Sequence, residues 1–158
     1  MTPTLFRFHA IEPAYELLPA NMASIEATAL LIAIALQESR LKFRRQIGGP
    51  AHSYLQFERG GGVHGVLTHA GVSSIARQVC AQLDYAPTDD VVYEAMEHND
   101  VLACAFGRLL LWTVPGALPL RGEHEKAWYY YTSAWRPGKP HRETWDQFYD
   151  AGWAEVLR

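Results

Sequence analysis

At 158 residues, with 49% hydrophobic and 20% charged side chains, the chain has the length and balance of a single folded domain over 1–158. That composition argues against disorder, and a net charge of −3 gives no electrostatic footing for nucleic acid or an anionic membrane surface. Two cysteines, Cys80 and Cys104, are too few for a disulfide framework or a zinc site. Both fall in apolar helical patterns and are expected to be free, buried thiols.

The chain opens on Met1-Thr2-Pro3-Thr4-Leu5-Phe6-Arg7, with no long apolar run and no small-residue cleavage site. No signal peptide and no integral membrane association are expected, and synthesis in the cytoplasm is. Residues 1–12 show no clear period, and a turn or two of helix is expected to start near Pro13. Then comes Ala27 to Leu36, ten residues with Thr28 as the one polar side chain. Such a run predicts a helix buried on all sides and too short to cross a bilayer, which takes about 18 apolar residues. Asn21 or Ser24 caps it, Glu26 complements its positive end, and it stops near Leu41.

Residues 42–71 differ in kind. Gly48-Gly49-Pro50 and Gly60-Gly61-Gly62 forbid a long helix, and the intervening Ser53 to Glu58 alternates enough for a short strand or extended loop. An irregular stretch of this length usually carries function, so it is the expected site-forming segment. Helical rhythm returns with Ser73 or Ser74 capping a helix to about Leu83. Thr88 caps one over Asp89–Met96, and Asn99 opens one to Trp112 that is apolar nearly all round. Further helices are predicted over Glu123–Trp135 and, capped by Thr144, to about Val156. The expected fold class is all-α with two buried helices and one irregular insertion.

Chemistry concentrates at Glu38, where the buried run stops. A carboxyl at the edge of an apolar core has its charged form disfavoured, and so remains a proton donor near neutral pH. The alternative is a solvated residue just past a helix end. Glu58, twenty residues on, can fold back to make a carboxylate pair of the kind glycosidases use. Arg40, Lys42, Arg44 and Arg45 would lower the Glu38 pKa if they surrounded it, so an acid at Glu38 requires most of them to point away. Nine of the nineteen aromatic residues lie between Trp128 and Trp153. Trp128, Tyr131 and Trp135 share one helical face, leaving Tyr129 and Tyr130 to look elsewhere. The histidines form no convincing metal set, no phosphate loop or nucleophile elbow appears, and no metal or cofactor is expected.

Ala33-Ile34-Ala35-Leu36-Gln37-Glu38-Ser39-Arg40-Leu41 resembles the catalytic helix end of soluble lytic transglycosylases and goose-type lysozymes. Tyr54-Leu55-Gln56 sits where that family has Gly-Leu-Met-Gln, and Tyr131-Thr132-Ser133-Ala134 is similar to a degraded Ala-Tyr-Asn-Ala-Gly. Gln56 to Gly62 and Trp135 to Pro140 look like stretches of bacteriophage and prophage proteins. The resemblance implies a lysozyme-like fold and cleavage of the bond between N-acetylmuramic acid and N-acetylglucosamine in peptidoglycan glycan strands. It assigns Glu38 as catalytic acid and base. Ser39, Tyr54, Gln56 and Tyr131, with Tyr130 as its register alternative, are implied to bind substrate, and Glu58 would become a partner if the enzyme were a hydrolase. Action at the cell wall would then depend on delivery by a phage holin or a virion. The competing expectation is a non-catalytic phage structural or assembly protein that retains the fold. The sequence carries no indication of oligomeric state.

Overall fold

The computed structural model describes residues 1–158, and its architecture is all-α: helices α1 (Pro3–Phe6), α2 (Glu12–Tyr15), α3 (Ile25–Ser39), α4 (His64–Thr68), α5 (Ser73–Gln82), α6 (Asp89–Met96), α7 (Asp100–Trp112), α8 (His124–Trp135) and α9 (Arg142–Val156). No strand forms. The nearest approach is a pair of isolated antiparallel bridges, Arg45 with His52 and His52 with Phe57. No helix is long and apolar enough to cross a membrane.

Helix α3 is the axis. Ser24 caps it by accepting Ala27 N–H at 3.1 Å, and Ala27 and Ala29 through Ala35 have no exposed surface. Each fully buried Leu or Ile on it contributes about 1.5–3 kcal/mol of hydrophobic stabilisation, and Leu30, Leu31, Ile32 and Ile34 are four of these. The neighbours reach it closely because they present glycine. A Cβ on Gly152 of α9 would sit 2.2 Å from Ala29 O, and one on Gly107 of α7 would sit 3.0 Å from Leu31 Cδ2. Thr88 and Asn99 cap α6 and α7 through Val91 N–H and Leu102 N–H. Cys80 and Cys104 are free and buried in the same core.

Two expectations are corrected. The N-terminal segment is helical from Pro3, with a widened π turn at Arg7–Ile11 joining α1 to α2. Pro13 has no N–H for the carbonyl four residues back, and its ring crowds it; a π turn relieves both, but shifts the side-chain period. In place of a short strand or extended loop over 53–58, residues 53–56 make a tight turn between the bridged His52 and Phe57, with Ser53 and Gln56 in left-handed backbone (φ 69° and 53°). The three glycines do forbid a long helix, since Arg59–Val63 is a short π turn kinked at Gly61 before α4. Gly61 takes a non-helical conformation (φ −100°, ψ −106°), and a Cβ on Gly62 would meet the Phe57 ring at 2.6 Å. At two helix starts the caps also differ. Val72 precedes α5 with no side-chain cap, and α9 begins at Arg142, placing Thr144 inside its first turn.

Candidate active site

The C-terminal end of α3 opens onto a groove of about 1010 Å³ whose walls come from the 46–65 segment, α8 and the loop after it. Glu38, Gln56, Glu58 and Tyr131 all line it. Helix α3 stops because Arg40 and Leu41 adopt left-handed backbone (φ 56° and 55°), which turns the chain back toward the groove. The flanking residues fasten that end. Gln37 donates to His141 O (2.9 Å) and accepts from Thr144 Oγ1 (3.0 Å), tying α3 to the start of α9.

Glu38 Oε1 accepts a 2.6 Å hydrogen bond from the Tyr131 hydroxyl. Burial at the helix end pushes the Glu38 carboxyl up to about 7, against the pull of the Tyr131 hydrogen bond and the Arg40 charge; the Glu58 charge adds to the rise. Burial and the neighbouring Glu38 push the Tyr131 hydroxyl well above its ordinary value, so it acts as a donor. Its ring is fixed by stacking on Trp145 at 4.9 Å, which stacks in turn on Tyr149.

Two of the four cations of the basic cluster are engaged away from Glu38. Arg44 and Arg45 fork onto Asp100 and Glu97 of the α6–α7 region. Arg40 donates to the Leu36 and Gln37 carbonyls, with its guanidinium 4.4 Å from the Phe148 ring centroid.

The second carboxylate differs from the first. Glu58 is exposed on the groove rim, and its carboxylate makes no hydrogen bond, although its backbone carbonyl accepts from Gly61 and Val63 N–H. The Gln56 side chain, on the groove wall, folds back onto the preceding turn, with Nε2 donating to Ser53 O at 2.7 Å.

Three of the sequence candidates stand outside the groove. Ser39 is buried, with Oγ 2.8 Å from Tyr54 O and accepting Leu41 N–H, so it closes the helix end. Tyr54 is buried edge-on to Phe6 and lies under the Arg44 guanidinium. Tyr130 points to the opposite side of α8 and donates to Ala117 O at 2.9 Å. Helical register explains the last case, because adjacent positions diverge by about 100° and Tyr131 takes the groove face.

Sequence reasoning missed other groove residues. Trp135 lines it and donates from Nε1 to Leu55 O (2.8 Å), bracing the turn that presents Gln56. His64, His69 and His141 line its far walls together with two cations, Arg136 and Lys139. His64 Nδ1 pairs with Asp89 at 2.8 Å. No three His, Cys, Asp or Glu side chains come together in a way that would hold a metal ion.

Compared with protein-family models, curated proteins and solved structures, the chain finds no match.

Proposed function

We propose that the chain is a peptidoglycan-cleaving enzyme of the lytic transglycosylase type, with a lysozyme-like fold and Glu38 as its single acid and base. The observation that carries this reading is a lone carboxyl at the end of a buried helix, pushed up to about 7 and opening onto a groove large enough for several sugar rings.

In that reaction protonated Glu38 gives its proton to the glycosidic oxygen, and the bond to the anomeric carbon breaks. The substrate's acetamido group stabilises the positive charge left behind. Glu38, now a carboxylate, takes the proton from the muramic C6 hydroxyl as that oxygen bonds to the anomeric carbon. The Tyr131 hydroxyl steadies the carboxylate form in the second half of the cycle, when Glu38 must accept a proton. Exposed Glu58 supports one-carboxylate chemistry over a hydrolase with a paired base, because it lacks the buried, hydrogen-bonded setting of a positioned partner. The two cations of the far wall, Arg136 and Lys139, suit a glycan bearing carboxylates on its peptide stems.

The test is release of soluble muropeptides from purified sacculi by wild type and by Glu38→Gln. The variant keeps the shape of the side chain but has no proton to give, so it is expected to fold and release nothing. Undiminished release by the folded variant would overturn the assignment. A folded wild type that releases nothing would favour a structural or assembly protein on the same scaffold.

A further inference from the structure

A second cleft, of about 480 Å³, lies on the other side of α7 and α8 from the groove and shares no lining residue with it. Leu110 and Thr113 of α7 face the groove, whereas Arg108, Leu111 and Trp112 face the cleft. On α8 the same division separates Tyr131 from Tyr130.

Arg108 makes this cleft unusual. The side chain is 3% exposed, yet its one hydrogen bond runs from Nε to Met22 O at 2.7 Å. Nη1 is buried with no partner, and no carboxylate of the chain forms an ion pair with the guanidinium. The Trp112 ring centroid is 5.0 Å from Cζ, a contact that favours the cation without replacing a counter-ion. A buried charge without a partner is costly, and arginine presents a planar fork of donors suited to a carboxylate.

The rest of the wall narrows the ligand. Trp112 and Leu120 are 42% and 56% exposed around the opening, and Val114, Pro115 and Leu118 continue an apolar surface between them. Glu26 is the one carboxylate on the wall, and it disfavours a second negative charge on anything bound there. The volume matches a small molecule and is well below what a folded partner would need.

We propose that this cleft binds a small organic monocarboxylate with an apolar body, its carboxylate against the Arg108 guanidinium and its body between Trp112 and Leu120. The site is independent of the muralytic reading, because no residue of the groove takes part.

The experiment is a titration of the ¹⁵N-labelled full chain with 4-phenylbutyrate, 4-phenylbutan-1-ol and phenyl phosphate, following the Trp112 indole N–H and the Arg108 Nε–H. The carboxylate is expected to give saturable shifts at both resonances. The alcohol, with the same body and no charge, and the dianionic phosphate should each bind at least tenfold more weakly. Leu120→Asp, a change at an exposed position, should weaken 4-phenylbutyrate at least tenfold in a protein that remains folded. Equal binding of acid and alcohol, no saturation with the acid, or an unchanged affinity in folded Leu120→Asp would each overturn the proposal. Arg108→Lys reads the same contact where the variant folds, and retention of full wild-type affinity would also count against it.

Discussion

Replacing Glu38 with Gln is expected to stabilise the protein at neutral pH by an amount that disappears in acid. The free carboxyl titrates near 4.5 in the unfolded chain and is pushed up to about 7 in the folded one, chiefly by burial. The native state therefore prefers protonated Glu38. Stability from this group is full below pH 4.5 and is lost as pH rises through 7. At about 1.4 kcal/mol per pKa unit the whole shift is worth roughly 3 kcal/mol, and solvent entering from the groove trims it to about 2–3 kcal/mol. Gln is always neutral and escapes that loss, while its amide oxygen still accepts from Tyr131. Urea denaturation of both proteins at pH 4 and pH 8 measures the effect, since all other titrating groups are shared. The difference should be near zero at pH 4 and about 2–3 kcal/mol in favour of the variant at pH 8. A difference that does not change with pH, or a variant less stable at pH 8, would refute the account of Glu38 as a carboxyl strained by burial.

Other outcomes follow from single contacts. Tyr131→Phe removes the one hydrogen bond that favours charged Glu38, so the Glu38 carboxyl resonance should titrate above the wild-type midpoint of about 7 in carbon NMR, and the alkaline limb of the activity profile should move the same way. Gly152→Ala places a Cβ 2.2 Å from a backbone oxygen of the central helix, and thermal or urea unfolding should show a loss of about 3 kcal/mol or more. Thr88→Ala and Asn99→Ala each remove a helix cap and should cost about 1 kcal/mol. The two caps serve separate helices, so the double variant in a urea melt should show the sum.

What could be read from the chain was what short-range physics decides. The Ala27 to Leu36 run is apolar on every side, so its burial followed from composition, and the caps Ser24, Thr88 and Asn99 act on N–H groups only three residues away. Glu38 was legible for the same reason, as the first ionisable group after that run. The N-terminal helix was hidden because the π turn breaks the 3.6-residue period that betrays a helix. The glycine triplet marks a break at Gly61 as its composition implies, but the packing of the Phe57 ring onto Gly62 is a contact no local pattern shows. Ser39, Tyr54 and Tyr130 sit beside true groove residues in sequence and face elsewhere, since the left-handed turn at Arg40 and Leu41 and the register of α8 decide direction. Trp135 and the far wall come together only through the fold, by contacts as distant as Trp135 to Leu55.

The central claim is that one carboxylate does the work of acid and base. Mass spectrometry of the ends released from purified sacculi, by wild type and by Glu58→Gln, tests it most directly. The account predicts 1,6-anhydromuramic ends from both proteins at similar rates, because exposed Glu58 takes no proton in the cycle. Reducing ends from wild type, with activity lost in a folded Glu58→Gln variant, would contradict it and place a second carboxylate in the chemistry.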